Sequence, residues 1–536
     1  MKYDPYSTQY PSRRTVTYAA QGMVCTSVPL AAQAGLNILR RGGNAFDAAI
    51  ATAACMPVVE PCSNGIGGDA FALIWSKGKL YGLNSSGRAP MGISLEKMLA
   101  KGYTDELPSR GWEPVMVPGA PGAWAEISRR FGRLPLTEVL EPAAQYAENG
   151  YPVSPTVARA WGRAFDVYTK LEGPEFAPWR ETFAPNGHAP VAGEIWKCAD
   201  MAHTLREIAR TGAESFYRGS LMEKIVAFSR ETGGYFCEED FTTWHPEWVE
   251  PITTHYKGYD VYEIPPNGHG ITVLMALNIL KGLELPEDRD SVETYHKMIE
   301  ALKLAFTDAK TYVSDPSTMQ TRVADLLSEE YAARRRALIS ETAIDPQPGD
   351  PCCGGTVYLC AADGEGNMIS YIQSNYKGFG SGVVVPGTGI SLQDRGCGFS
   401  LDPKSDNCLG PGKKAYHTII PGFLCKDGQP VGPFGVMGGF MQPQGHLQVL
   451  VNAIDYGMNP QECLDAPRFQ WTSGKKIQLE ACASPELVEG LRARGHEVEV
   501  VKDSGGMGRG QIIWRTEHGT LAGGTEPRCD GHIAVY

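Results

Sequence analysis

The chain has 536 residues, of which 42% are hydrophobic and 21% charged, close to the composition of ordinary globular proteins. Lysine and arginine number 49 against 61 aspartate and glutamate residues, a formal net charge of −12 that excludes nucleic acid as an expected partner. The N-terminal segment has no apolar core of signal-peptide length, and no later stretch approaches the length of a membrane span, so we expect a cytoplasmic protein without membrane contact.

The 14 cysteines are scattered, and only Cys352 and Cys353 are adjacent. No CxxC pair occurs, so neither a zinc ribbon nor a disulfide framework is indicated. Most of the cysteines are expected to act as small buried hydrophobic residues. Nothing in the sequence calls for a metal or an organic cofactor.

The first 90 residues predict two helices followed by a hairpin. Apolar residues recur at helical spacing between Ala31 and Leu39, Gly42-Gly43 ends this helix, and residues 45–56 form a second helix rich in alanine. After the glycine loop, strands are expected at 70–75 and 80–83, packed under the helices.

The middle third is predicted to be largely helical, with the clearest 3.6-residue period in 137–155 and 291–310. Residues 316–350 are polar and favour helix. The stretch 340–355, SETAIDPQPGDPCCGG, combines prolines with glycines and is typical of a flexible surface connector.

Strands follow Thr356, at 357–362, 368–373 and 382–386. A helix at 445–457 and two C-terminal strands complete the chain. Helices before and after two sets of strands predict sheets covered by helical layers.

Thr356 opens the first of these strands directly after Gly355. A threonine hydroxyl needs a base, and a threonine at the start of a chain can use its own α-amine, whose pKa is about 8. That arrangement requires cleavage of the preceding peptide bond. By itself Gly-Thr is also the ordinary pattern of a turn followed by a β-branched strand residue.

The wider sequence resembles the γ-glutamyltransferase family of N-terminal-nucleophile hydrolases over nearly its full length. Eight stretches carry the resemblance, in the same order as in the family: 22–51, 58–73, 117–124, 264–280, 355–370, 379–392, 438–469 and 519–536. The resemblance implies an α+β fold, a four-layer αββα sandwich. It also implies a precursor that cuts itself between Gly355 and Thr356. The large subunit (1–355) and the small subunit (356–536) then stay intertwined in one fold, and two such units could form a dimer.

Carried over to this chain, the family's catalytic residues are Thr356 as the nucleophile and Ser374 as a supporting hydroxyl. Gly438-Gly439 correspond to the oxyanion hole, in which backbone N–H groups stabilise the tetrahedral intermediate. Tyr376 and Asp394 lie near the pocket by family position, although either could equally be a packing or turn residue.

The chain departs from the glutamyl-transferring pattern in three places. Ser86-Gly87 stand where the family's carboxylate-binding Arg-Glu pair would be, with Arg88 as the nearby guanidinium. Gly398 replaces the amine-binding aspartate, and His417-Thr418 replace a serine pair. A site that has lost its acid cannot bind an ammonium group well, because a buried unpaired charge is costly.

These departures favour an amidohydrolase of the branch that contains oxamate amidohydrolase and cephalosporin acylases. Its substrate would be a small amide whose carboxylate is bound by Arg88 or Arg395. Arg88 could instead cap a turn or pair with a surface acid, and a structural role is favoured for His417 because the base is already the α-amine. Two other functions remain open: a γ-glutamyl hydrolase or transpeptidase, and a silent relative that acts as a binding protein.

Overall fold

The computed structural model describes residue 10 and residues 14–346 and 355–536. The strands in these ranges are β1 (Thr17–Ala19), β2 (Gly22–Thr26), β3 (Asp69–Ser76), β4 (Lys79–Ser85), β5 (Tyr151–Pro152), β6 (Ile195–Trp196), β7 (Glu247–Val249), β8 (Ile252–Tyr256), β9 (Tyr259–Glu263), β10 (Gly355–Asp363), β11 (Met368–Tyr376), β12 (Val384–Val385), β13 (Ile390–Ser391), β14 (Gly422–Lys426), β15 (Gln429–Met437), β16 (Phe469–Ser473), β17 (Lys476–Glu480), β18 (Glu497–Val501), β19 (Arg509–Arg515), β20 (Leu521–Thr525) and β21 (His532–Val535).

The α-helices in the same ranges are α1 (Pro29–Arg40), α2 (Ala45–Val59), α3 (Leu95–Ala100), α4 (Ala120–Phe131), α5 (Leu136–Asn149), α6 (Pro155–Tyr168), α7 (Ala177–Phe183), α8 (Ala199–Thr211), α9 (Glu214–Arg218), α10 (Ser220–Glu231), α11 (Glu238–Thr242), α12 (Ile271–Leu280), α13 (Val292–Tyr312), α14 (Val323–Leu326), α15 (Glu329–Arg336), α16 (Met441–Ile454), α17 (Pro460–Asp465) and α18 (Pro485–Ala493). Short 3-10 helices lie at Pro174–Phe176, Arg395–Gly398 and Ser504–Gly506. None of the described helices combines the length and the apolar character needed to cross a bilayer.

Two seven-stranded antiparallel sheets form the centre of the molecule. Sheet I has the order β21-β2-β10-β11-β3-β4-β7, and sheet II has the order β1-β20-β19-β15-β14-β9-β8. Both sheets combine strands from before and after Gly355, so the two predicted subunits share each sheet. Strand β10 lies between β2 and β11, in the middle of sheet I.

Alternating side chains of β10 divide the interior into two cores. Val357 and Leu359 pack in the core that contains α1, α2, α4 and α5, whereas Tyr358 and Cys360 pack in the core that contains sheet II with α12, α13 and α16. The layers therefore run helix, sheet I, sheet II, helix. This arrangement confirms the predicted α+β class and the four-layer αββα sandwich.

Close packing between these layers depends on small residues. Helix α2 is buried along its whole length, and its many alanines let sheet I and neighbouring helices approach closely. Asn44 caps α2, accepting the N–H groups of Phe46 and Asp47 at 3.0 Å. Between the sheets, a Cβ on Gly435 would come within 2.3 Å of the Tyr358 ring, so β15 can lie against β10 only with glycine there.

Most of the predicted elements are present, with two corrections. The strand predicted at 382–386 is reduced to the two residues of β12, because Gly382 and Gly387 on either side have φ values of 81° and 65°, which turn the chain. The helix predicted from residue 445 begins four residues earlier, at Met441.

The predicted connector is described only in its first part, where the Ala343 N–H donates to the Arg494 carbonyl at 2.7 Å. Residues 347–354, including Cys352 and Cys353, lie outside the described residues. Seven of the twelve described cysteines are buried.

Candidate active site

Thr356, Ser374 and Asp69 lie side by side across three neighbouring strands of sheet I. The hydroxyl oxygens of Thr356 on β10 and Ser374 on β11 are 3.1 Å apart, and both residues are buried. Ser374 is in register with Asp69 on β3, and residues directly opposite in a sheet share a face. The Ser374 hydroxyl also accepts the Tyr376 N–H at 2.8 Å, which fixes its position. The structure thus brings the predicted nucleophile and its supporting hydroxyl into contact.

Gly438 and Gly439 connect β15 to α16, at the start of which their carbonyls accept the N–H groups of Met441 and Gln442. Their φ values are 136° and 60°, a region that glycine tolerates and other residues rarely adopt. This loop follows β15, the strand that packs against β10. Its role as an oxyanion hole stays a prediction.

Arg395 is a buried guanidinium beside the end of β11. Its Nη1 donates to the Thr418 hydroxyl at 2.7 Å, and its guanidinium lies 4.0 Å from the centroid of the Tyr376 ring. Its Nε and Nη2 make no hydrogen bond to any residue that the structure describes. Burial lowers the pKa of Arg395, opposed by Tyr376, Asp69 and Asp394. Two donors on one edge of the guanidinium therefore remain available to a carboxylate.

Asp69 and His417 form a buried pair, with Nε2 of His417 2.9 Å from Oδ2 of Asp69. The backbone N–H of Ile419 approaches Nδ1 of His417 at 3.4 Å, so the ring accepts at Nδ1 and donates from Nε2. Asp69 also accepts the Gly87 N–H at 3.0 Å and the Gln393 side-chain amide at 3.3 Å. Burial raises the pKa of Asp69 to about 7, opposed by Arg395, and burial lowers the pKa of His417 well below its usual value.

Asp394 already has partners of its own. Its carboxylate lies 3.1 Å from Nη1 of Arg110 and accepts the Lys377 N–H at 2.9 Å. Burial raises the pKa of Asp394 to about 6, opposed chiefly by Arg110. The Asp394 backbone N–H also donates to the Asn375 carbonyl at 3.1 Å. The backbone and the carboxylate of Asp394 together anchor the segment after β13 to the end of β11.

Arg88 lies closer to the protein surface than Arg395 does. Its side chain is 45% exposed and forms an ion pair with Glu247 at 2.9 Å, and it also donates to the Gly412 carbonyl at 3.3 Å. This is the surface pairing that the sequence left open as the alternative, and a role for Arg88 in substrate binding stays a prediction. Gly398 ends the 3-10 helix that begins with Arg395 and contributes no charge to the pocket.

Sequence reasoning missed Asp69, Gln393 and Arg110 as members of this cluster. Asp69 lies within the stretch NGIGGDAF, where the neighbouring glycines draw attention to the turn. The one available signal was an acidic residue at the start of an otherwise apolar strand, which demands a buried partner.

Among the described residues, one group outside the cluster around Thr356 could present three ligands to a metal ion: His296, Glu300 and His496. Its geometry is also that of a hydrogen-bond network: Nδ1 of His296 lies 2.8 Å from Nε2 of His496, and Glu300 pairs with Lys303 at 2.7 Å. The expectation that no metal is required stays a prediction.

The cluster around Thr356 contains the parts needed for acyl transfer. It has two adjacent hydroxyls, a glycine loop at the start of a helix, and a buried cation with two donors that bond no described residue.

Known proteins resemble this chain over almost its whole length. A family model described as gamma-glutamyltranspeptidase matches residues 31–536. The chain is 38% identical to the glutathione hydrolase-like YwrD proenzyme of Bacillus subtilis, over 95% of this chain and 97% of that protein. It is 35% identical to the oxamate amidohydrolase proenzyme of Klebsiella pneumoniae, over 97% and 99% of the two chains.

A crystal structure of a cephalosporin acylase from Bacillus halodurans superposes with a TM-score of 0.96 and 59% sequence identity, covering 100% of this chain and 99% of that one. Family model, relatives and fold all agree with a hydrolase that is made as a proenzyme. The chain therefore belongs to the gamma-glutamyltranspeptidase family, as an enzyme of the N-terminal-nucleophile hydrolase type.

Proposed function

We propose that the chain cuts itself between Gly355 and Thr356 and then uses Thr356 to hydrolyse the amide bond of a small substrate that carries a carboxylate. The contact of Thr356 with Ser374 and the proenzyme names of the relatives support the cleavage. The free donor edge of buried Arg395 supports the carboxylate, and it is the observation that carries the choice of substrate.

In the cleavage step, the Thr356 hydroxyl attacks the carbonyl carbon of Gly355. The peptide C–N bond breaks, an ester to the threonine oxygen forms, and the hydroxyl proton passes to the new amine. Water then hydrolyses the ester, releasing the carboxyl group of Gly355. The freed α-amine becomes the base for later turnovers.

In turnover, that amine takes the Thr356 hydroxyl proton as the oxygen attacks the substrate amide. The N–H groups of the Gly438-Gly439 loop stabilise the oxyanion, and the leaving amine takes up the proton as the C–N bond breaks. Water hydrolyses the resulting acyl ester and restores the threonine. A carboxylate held by Arg395 keeps the amide near the nucleophile throughout.

A γ-glutamyl substrate fits this site less well, because its α-ammonium group needs a free acid. The buried acids nearby already have partners: Asp69 accepts from His417, Gly87 and Gln393, and Asp394 binds Arg110. Glutathione hydrolysis nevertheless stays the second candidate, because one relative is a glutathione hydrolase-like proenzyme.

Processing is tested by denaturing electrophoresis of the purified protein. We expect two fragments of 355 and 181 residues (536 − 355 = 181), the smaller one beginning with Thr356. Thr356→Ala should give only the full-length chain, and Thr356→Ser should still be cut. Fragments of the same size from Thr356→Ala would contradict the mechanism, and an uncut wild-type chain would indicate a silent relative.

The substrate class is tested by measuring ammonia or amine release from a panel. The panel contains oxamate, an N-acyl cephalosporin whose acyl chain ends in a carboxylate, the neutral amide analogue of each, and γ-glutamyl p-nitroanilide. We expect turnover of at least one carboxylate-bearing amide and much slower turnover of its neutral analogue. Rapid release of p-nitroaniline would favour the second candidate instead.

A further inference from the structure

Arg395 and Asp69 are two opposite charges linked inside one buried cluster. Gln393 contacts both residues: its amide nitrogen donates to the Asp69 carboxylate at 3.3 Å, and its amide oxygen accepts the main-chain N–H of Arg395 at 2.6 Å. The Arg395 guanidinium itself acts on Asp69 through its charge, which opposes the rise in the pKa of Asp69. A second link runs through His417, which contacts Asp69, and its neighbour Thr418, which accepts from Arg395. The free site therefore contains a cation and an anion that compensate each other.

A substrate carboxylate at Arg395 upsets this balance. With Asp69 ionised, the occupied site would hold two negative charges and one positive charge away from water, which is unfavourable at low dielectric. With a proton on Asp69, the cation and the bound carboxylate form a neutral pair. We infer that Asp69, oriented by His417, is the counter-charge that a substrate carboxylate replaces at Arg395, so that anion binding is coupled to uptake of one proton at Asp69.

Most of the other groups around Asp69 are ruled out as the proton acceptor. The two that remain, Asp394 and the α-amine freed at Thr356, are separated from Asp69 by the variants below. Lys414 adds positive charge nearby, but it is paired with Glu247 at 2.8 Å. Tyr217 also faces Asp69, and burial raises its pKa, so it stays neutral. Burial likewise lowers the pKa values of His417 and of the nearby His269 well below the usual value, so both rings are neutral near pH 7.

The pH range follows from Asp69 itself. Burial raises its pKa to about 7, so the carboxyl is already protonated in acid and ionised in mild alkali. Below about pH 7 an anion binds without taking up a proton. Above it, each bound anion must bring a proton, and the inhibition constant rises by up to about tenfold per pH unit. This inference rests on the proposed function, since it requires Arg395 to bind a carboxylate.

The test uses the processed enzyme and oxalate, which has no amide to be hydrolysed and whose ionisation is constant between about pH 6 and 9 because carboxyl groups titrate near pH 4. Calorimetric titration at pH 8 in two buffers of different ionisation enthalpy counts the protons taken up. We expect the wild type to take up close to one proton more per oxalate than Asp69→Asn, because oxalate is a dianion and the Thr356 α-amine can also gain a proton at this pH. Binding in Asp69→Asn should vary less between pH 6 and 9 than binding in the wild type.

The controls separate Asp69 from other acids. Glu365→Gln removes an exposed acid that pairs with Arg133, and it should leave proton uptake unchanged. Asp394→Asn tests the other buried acid beside Arg395. If Asp394→Asn abolished uptake while Asp69→Asn retained it, the assignment to Asp69 would be overturned.

The wild type alone can overturn the coupling, even if Asp69→Asn does not fold. Oxalate binding that is lost in Arg395→Lys but takes up no proton in the wild type would overturn the coupling and leave the carboxylate site standing. Oxalate binding that is absent, or unaffected by Arg395→Lys, would overturn the carboxylate site of the proposed function and the coupling with it.

Discussion

The hydroxyl oxygens of Thr356 and Ser374 lie 3.1 Å apart on neighbouring antiparallel strands of sheet I. Strand β10 begins at Gly355, so the predicted scission lies at the start of a central strand. Thr356 lies at the irregularity between Gly355 and Val357 in the pairing with β11, and pairing with β2 begins only at Leu359. The Ser374 hydroxyl is fixed by the Tyr376 N–H and gives Thr356 a hydrogen-bond neighbour in the uncut chain. Preorganisation of this kind is what acyl transfer requires.

Replacement of Ser374 by alanine should slow both self-cleavage and turnover. The change removes the hydroxyl beside Thr356 and the acceptor of the Tyr376 N–H at 2.8 Å. A lost hydrogen bond of this kind is worth about 1–3 kcal/mol, or roughly 5- to 150-fold in rate. Ser374→Thr keeps the hydroxyl and should restore most of the rate. The half-time of precursor disappearance on gels measures the effect, and an unchanged half-time in Ser374→Ala would contradict a supporting role.

Replacement of Arg395 by lysine should raise KM for the carboxylate-bearing substrate. A lysine cannot reproduce the two donors on the free edge of the guanidinium, and two charge-assisted hydrogen bonds correspond to about 100-fold or more in binding. We expect a smaller change in kcat and almost no change for the neutral amide analogue. Steady-state kinetics on both substrates measure the difference.

Arg88→Ala is the competing variant in that experiment, because the sequence offered either arginine as the anchor. Arg88 is half exposed and paired with Glu247, so we expect KM to change by less than about threefold. Arg133→Ala, which removes a surface arginine paired with Glu365, serves as the control. A large rise in KM for Arg88→Ala together with normal kinetics for Arg395→Lys would assign the anchor to Arg88.

The sequence predicts site residues that lie in or beside family-like stretches, but not residues that only the tertiary structure brings into the site. Thr356 and the Gly438-Gly439 loop lie in stretches that resemble the family, and Ser374 follows the stretch 355–370 by four residues, so the sequence could propose all of them. Asp69 could not be identified in the same way. Its position depends on the register of β3 against β11 and on contact with His417, residues far apart in the sequence.

The same limit applies to backbone detail. The alanine-rich composition of residues 45–56 predicted helix α2 well, because burial on all sides requires uniformly small or apolar residues. The apolar run at 382–386 predicted a longer strand than β12, because local β-propensity does not report the positive φ angles of the flanking glycines.

Replacement of Gly438 by alanine should reduce kcat by about 100-fold. Its φ of 136° is costly for alanine, and an added Cβ would lie 3.2 Å from the Cα of Gly508. Relaxation of that strain would move the N–H groups that serve the oxyanion, a loss typical of a damaged oxyanion hole. Gly428→Ala is the matched control: its φ of 72° is also positive, but it lies in the turn after β14 with open space around it. Equal losses of kcat in both variants would contradict the assignment.

His496 should make the fold sensitive to acid without affecting catalysis. It is buried against His296, and burial lowers the pKa of His496 to about 3. An unfolded histidine titrates near 6.5, so below that pH the unfolded chain binds a proton that the folded chain does not bind until about pH 3. The contribution of His496 to the free energy of unfolding is therefore at its full value above about pH 6.5. It decreases as the pH falls towards 3, by up to about 1.4 kcal/mol per pH unit.

His496→Gln tests this, because the glutamine amide can still donate to Nδ1 of His296 but does not titrate. The thermal midpoint should fall between pH 7 and pH 5 by a few degrees less in the variant than in the wild type. Since His496 belongs to the network with Glu300 and Lys303 and not to the cluster around Thr356, kcat/KM at pH 7 should be unchanged. An equal fall of the thermal midpoint between pH 7 and pH 5 in both proteins would show that His496 is protonated in the folded state at pH 5. The fall in stability would then have to come from other buried histidines, of which His269 and His417 have pKa values lowered by burial.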